Sequence, residues 1–200
     1  MQFKFVVPML ALAMSASAAA QSAAPAANVP ENLKPSANES VAMVVAARGV
    51  QIYECRQLKN QADAYEWALV APLADLFDAS GNKVGIHYAG PHWESLDGSR
   101  IVGAAKASAD APQPGAIPWV LLAAKSDGGA GTFSKVTSVQ RVNTVGGVAP
   151  RTGCSQTAAG TVVRVPYTAD YYFLAAKTEV PPQVNAVANP VVQPRSSYSY

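Results

Sequence analysis

Turn-forming residues break this chain at short intervals from residue 78 onward, and that rhythm constrains the fold more than any other feature. Asp78-Ala79-Ser80-Gly81-Asn82, Asp97-Gly98, Pro112 to Gly115, Asp127 to Gly131, Gly146-Gly147, Gly153 and Gly160 leave windows suited to strands and too short for a set of packed helices. The windows carry matching residues. GVQIYEC alternates Val50, Ile52 and Glu54 with Gln51, Tyr53 and Cys55, and YEWALVAP repeats the aromatic and β-branched enrichment. LFDASGNKVGIHY has hairpin composition, and IPWVLLAAK, opened by Pro118, reads as a strand buried on both faces. In TFSKVTSVQRVNT, polar residues separate Phe133, Val136, Val139 and Val142, and GTVVRVPYTADYYFLAA supplies one more strand. We therefore expect an all-β, single-domain β-sandwich or small barrel over 48–177, with one or two short helices. The helical candidates are residues 38–48, where Asn38 would cap NESVAMVVAAR, and a turn at 70–77.

The two ends read differently. Residues 1–20 combine Lys4, an apolar run from Phe5 to Met14 and a small-residue cleavage site at Ala16-Ser17-Ala18 or Ala18-Ala19-Ala20. That is the pattern of a cleaved export signal, and its apolar run is too short to span a bilayer. Residues 21–47 read as a linker and lead-in segment, and the Pro-rich residues 178–200 as a mobile tail. No transmembrane segment is expected, and the mature chain is placed in the periplasm or outside the cell.

An oxidising compartment gives the two cysteines their meaning. Cys55 and Cys154 are the only ones in the chain, and neither sits in a CxxC or Cys/His spacing, so a Cys55–Cys154 disulfide is expected. Lys and Arg number 15 against 13 Asp and Glu; losing Lys4 with the signal leaves a net charge of about +1, scattered along the chain. Without a basic stripe, nucleic acid is not an expected partner.

HYAGPHWESLDGSR, residues 87–100, holds both histidines of the chain and is the first candidate for a site. On a strand His92 and Glu94 share a face, and a turn at Gly90-Pro91 would bring His87 beside them, a weak candidate metal set of His87, His92 and Glu94. Trp93 would anchor the core with its indole N–H bonded. Ser95 or Ser99 with His87 and Asp97 has the residue types of a hydrolase but no GxSxG elbow, and Asp97-Gly98-Ser99 is more simply a hairpin turn. SDGGAGTF, residues 126–133, lacks the strand-to-helix context of a phosphate loop, so no cofactor is expected. RVPYTADYYF is the second candidate region, with Tyr167, Asp170 and Tyr171 as possible ligand contacts and a buried closing strand as the plain alternative.

Taken in order, GVQIYEC, WALVAP, GIHYAGPHWESLDGSRIVG, AIPWVLLAAK, FSKVTSVQRVNTVGGVAP and RVPYTADYYF resemble the DUF3455 family, a domain of unknown function in secreted bacterial and fungal proteins. The likeness spans about 48–175. It implies that His87, Trp93, Glu94, Asp97 and the VPYTADY stretch share whatever role the family has, whereas the family pattern has Thr or Ser in place of His92. Some fungal relatives carry the label malate dehydrogenase, an activity whose dinucleotide loop this chain lacks.

The residues then support an exported binding or cell-envelope interaction module. Its partner would be a small molecule, a carbohydrate or an envelope component, and the stretch from His87 to Ser99, beside Tyr167 to Tyr171, its recognition surface. The alternative is an extracytoplasmic enzyme using His87, Glu94 and Asp97, which requires those side chains to converge. A purely structural envelope protein would have no concave polar pocket.

Overall fold

β1 runs unbroken from Glu39 to Gln57, through the stretch where a helix was the alternative. Its Ala and Met residues favour a helix locally, but β1 is hydrogen-bonded on both edges, to β2 (Tyr65–Phe77) and to β8 (Val162–Ala176), and that pairing overrides the local preference. The turn expected at 70–77 is likewise part of β2. The computed structural model describes residues 26, 28–61 and 63–178. The export signal at 1–20, the first part of the linker and the tail beyond Thr178 lie outside the described residues.

The remaining strands follow in chain order: β3 (Lys83–Tyr88), β4 (His92–Ser95), β5 (Arg100–Ala109), β6 (Trp119–Ser126) and β7 (Val136–Gly146). Each pairs antiparallel with the next, and β8 returns to β1, so eight strands close a barrel rather than a sandwich. Closure leaves no strand with a wholly unpaired edge, although residues 39–45 of β1 pair with β8 alone. Among the described residues helix is confined to two 3-10 turns, Glu31–Leu33 and Gln156–Ala158.

Alternation sorts the side chains. Val45, Ala47, Ala74, Leu76, Trp93, Ile101, Val139, Tyr171 and Phe173 point inward and form the main core. Phe133, fully buried in the β6–β7 connection, stacks on Phe173 with centroids 4.7 Å apart and helps to close one end of the barrel. Trp93 fits inside because β5 has no side chain at Gly103: a Cβ there would lie 2.8 Å from the indole ring. Outside, the barrel carries charges such as Arg48, Glu54 and the Asp75–Lys83 pair. A membrane-spanning barrel has the reverse arrangement, apolar outward and polar inward. No described helix is long and apolar enough to cross a membrane.

A second core lies on the outer face. Leu33, fully buried, packs with Val41, Trp119, Leu121, Val142 and Leu174, and its carbonyl accepts a 2.6 Å hydrogen bond from Gln140 Nε2. The end of the expected linker is thus a strap across β5, β6, β7 and β8, where Asn32 also donates to the Ser108 carbonyl, and residues 39–47 belong to β1 itself. This covering explains β6 and β7. Leu122 and Val139 face inward while Leu121, Gln140 and Val142 face the strap, so both strands are buried on two sides.

The expected disulfide is present. Cys55, near the end of β1, is bonded to Cys154 in the long connection between β7 and β8, with Cα atoms 5.3 Å apart.

Candidate functional site

The turn at Ala89–Pro91 folds β4 back onto β3 in a register that pairs His87 with Trp93 and Tyr88 with His92. Paired residues share a face, so His87 and Trp93 go inward while Tyr88, His92 and Glu94 go outward. The turn therefore separates the two imidazoles. His92 stacks on Tyr88 and bonds the Asp127 carboxylate through Nε2 at 2.8 Å; Glu94 accepts the Tyr88 hydroxyl at 2.7 Å. The set His87, His92 and Glu94 is not brought together, and among the described residues no three His, Cys, Asp or Glu side chains form a metal-binding group.

Asp97 is likewise occupied elsewhere. Its carboxylate accepts the Ser99 N–H and hydroxyl at 2.9 and 2.6 Å, and the Thr132 N–H and hydroxyl at 2.8 and 2.7 Å. Those hydrogen bonds, the Ser99 hydroxyl's foremost, hold its pKa well below the ordinary carboxylate range. The Ser99 hydroxyl in turn accepts the Phe133 N–H at 3.0 Å. Asp97 and Ser99 tie the β4–β5 turn to the glycine-rich β6–β7 loop, and neither has an imidazole beside it. Asp170 faces outward against Asn143, whose amide donates to it at 2.8 Å.

What does converge is interior and aromatic. His87 stacks on Trp93 with centroids 4.4 Å apart and meets the edge of Tyr171 at 5.2 Å; Trp93 and Tyr171 are 5.5 Å apart. The Tyr167 hydroxyl lies 3.5 Å from that of Tyr171. Burial drives the His87 pKa down to about 3, outweighing the bond from Nδ1 to the His92 carbonyl, so the ring is neutral. A carbonyl only accepts, so the proton sits on Nδ1, which donates at 2.7 Å, and Nε2 is left as an acceptor. Burial likewise pushes the hydroxyls of Tyr167 and Tyr171 up, keeping them protonated.

The rings of His87, Trp93 and Tyr171 form one wall of a cavity of about 350 Å³ in the mouth of the barrel, with Tyr167 behind Tyr171 and outside the lining. Pro72, Pro91, Val120 and Leu122 complete most of its apolar lining, and Leu69 and Val70 stand exposed at the rim. Val70 is there because β2 shifts register by one residue opposite Ile52 and Tyr53, a bulge that leaves it unpaired with β1. Two further polar side chains enter the cavity. Gln51 comes from β1, only 2% exposed, and Arg141 from β7, in register with Tyr171.

Among the described residues, three buried side-chain polar atoms lack a hydrogen-bond partner, and two of them, Gln51 Nε2 and Trp93 Nε1, belong to residues lining this cavity. The Trp93 indole is thus unbonded, contrary to the expectation for a core anchor. A second hollow of about 460 Å³ under the strap differs in this respect. Its charged side chains are already engaged: Lys34 with Glu31, Glu39 with Thr137, and Lys177 with the Ala37 carbonyl.

Of the residues expected from sequence, the structure sets His87, Trp93 and Tyr171 in the cavity wall, places Tyr167 next to Tyr171 but not in the lining, and leaves Glu94, Asp97, Asp170 and His92 outside the cavity. The stretch from His87 to Ser99 is barrel wall and a tight turn, not a separate recognition loop. Gln51 and Arg141 were not among the expected site residues. Gln51 had a usable signal, since it lies four positions before Cys55 on the same strand face, and a disulfide cysteine is normally buried. For Arg141, between Gln140 and Val142, no local pattern distinguishes inward from outward.

The chain belongs to the DUF3455 family of proteins of unknown function, whose model matches residues 35–175, a span that takes in the whole of β1. No curated protein and no solved structure matches it.

Proposed function

We propose that this family member is an exported, disulfide-closed barrel that binds a small molecule in the mouth of the barrel. The observation that carries the reading is the cavity's lining: mostly apolar and aromatic walls with Gln51, His87, Arg141 and Tyr171 set among them, and the Gln51 amide nitrogen buried without a partner. Native proteins satisfy nearly all buried polar groups, because leaving one unbonded costs about 1–3 kcal/mol. A few polar groups converging in an apolar cleft of roughly 300–1,000 Å³ is the usual composition of a ligand site.

A concave pocket with several polar groups set in its apolar wall speaks against a purely structural envelope protein. An enzyme using His87, Glu94 and Asp97 is not favoured either, since Glu94 bonds Tyr88 on the outer face and Asp97 braces two loops.

Thermal unfolding of the disulfide-closed chain with small acids, amides, alcohols, sugars and divalent metals tests the proposal. A ligand at about 100 times its Kd stabilises the native state by about 2.7 kcal/mol, which raises Tm by several degrees. Val120→Phe, which narrows the cavity from its wall, should abolish the shift. Unchanged midpoints across the whole series, or shifts indifferent to Val120→Phe, would overturn the reading.

A further inference from the structure

Among the described residues, Arg141 is the one charged side chain in the lining of the mouth cavity. Its Nε and Nη2 donate to the Pro118 carbonyl at 3.2 and 2.8 Å, which fixes the guanidinium without neutralising it. Among the described residues no carboxylate lies within 4.0 Å of Arg141; the ion pairs of the region, Arg100 with Asp127 and with Glu94, are on the outer face. Its charge is felt by interior groups on three other strands: it opposes the upward effect of burial at Tyr53, Tyr167 and Tyr171 and adds to the downward effect of burial at His87. No second interior charge balances it: His87 is neutral and the tyrosines are protonated.

A half-buried guanidinium normally has an anionic partner, because its charge is poorly solvated there and its planar fork matches the two oxygens of a carboxylate. Of its five N–H donors, the Pro118 carbonyl occupies two and the Tyr171 hydroxyl is placed to accept another, which leaves the guanidinium with donors to spare and no anion. Gln51 adds a buried amide nitrogen in the same lining, again a donor lacking an acceptor. The rest of the wall offers Trp93, Tyr171, Leu122 and Pro72, which would accept an apolar body and reject a heavily hydrated ion.

We infer that the mouth cavity takes a small carboxylic acid with an apolar or aromatic body, its carboxylate on Arg141 and Gln51 and its body against the Trp93–Tyr171 wall. The inference rests on the cavity being the binding site and adds the charge and shape of the ligand. A free inorganic anion would satisfy Arg141 but leave the wall uncovered, so the apolar body is part of the assignment.

Calorimetric titration of the disulfide-closed chain with phenylacetate, with its neutral isostere phenylacetamide and with inorganic phosphate separates the terms. We expect phenylacetate to bind at least tenfold more tightly than either of the others, and Arg141→Gln to abolish that preference. Arg141→Lys, which keeps the charge but not the fork, should recover part of it. Because the acid-to-amide comparison uses the unaltered chain, the test stands even if Arg141→Gln unfolds. Equal binding of acid and amide, or a preference that survives Arg141→Gln in a folded variant, overturns the carboxylate assignment and leaves the cavity reading in place. Phosphate binding as tightly as phenylacetate overturns the apolar body. Absence of any heat with all three at millimolar concentration overturns this inference, whereas the thermal-shift series decides the cavity reading on its own.

Discussion

His87 shows how one side chain can be legible as important and misjudged in its chemistry. Its place in GIHYAGPHWE, five positions before the chain's other histidine, singled it out, but only the register of β3 against β4 turned it away from His92 and into an apolar interior. The displaced pKa has a sign that can be measured. From pH 6.5 down to about 3 the unfolded chain takes up a proton at His87 that the folded chain does not, so stability falls as pH drops through that window and is recovered as pH rises. At about 1.4 kcal/mol for each unit of displacement, the full window is worth roughly 3–5 kcal/mol. Asp97 acts in the same direction nearer its unfolded value of 3.8, and Glu39 and Glu54, also held below their ordinary values, nearer 4.5, so the slope between pH 6.5 and 5.5 reports His87. His87→Gln should flatten that part of a urea-midpoint-against-pH curve; an unaltered slope would assign the titration to another group. Gln51 and Arg141 escaped notice at this scale because a polar residue in an alternating strand ordinarily faces water, and a barrel with a lined mouth reverses that for a few positions.

At the scale of elements, turn chemistry was the reliable signal and the ends of strands were not. Asp78-Ala79-Ser80-Gly81-Asn82, Asp97-Gly98 and Asp127 to Gly131 all join strands as their composition implies, since Gly at positive φ and Asp accepting turn amides are local properties. The bracing of one turn by another is not local. Asp97 and Ser99 reach across to Thr132 and Phe133, which share no sequence pattern with them. Ser99 is fully buried, and Ser99→Ala would leave the Phe133 N–H without its acceptor. That should destabilise the protein by about 1–3 kcal/mol in urea unfolding. It should also speed hydrogen exchange at Phe133; a variant as stable as the parent, with that amide still protected, would show that the brace contributes nothing. The same distinction accounts for residues 38–48. Their helix-favouring composition is a local preference of a few tenths of a kcal/mol per residue, and pairing with β8 from Glu39 onward, joined by β2 from Ala46, outweighs it.

At the scale of the whole molecule, the disulfide closes a loop of 99 positions across the barrel's mouth end, where Trp67 Nε1 also bonds the Thr152 carbonyl at 2.9 Å. Linking residues so far apart restricts the unfolded chain, and the chain-entropy model puts the stabilisation at about 4–5 kcal/mol. Cys55→Ala with Cys154→Ala should lower the unfolding free energy by up to that amount; a loss below about 1 kcal/mol would mean that the unfolded chain is already compact there. The sequence by itself determined the strand-rich class, the cysteine pairing expected of an exported chain, the turns and the family, because each follows from residue types acting over a few positions or from a choice with only one partner available. Whether the strands closed as a barrel or stacked as a sandwich, which of two alternating faces became the interior, and the meeting of Gln51, His87, Arg141 and Tyr171 were decided by tertiary structure. Those outcomes depend on register between strands remote in the chain, and a shift of one residue would exchange inside for outside at every position.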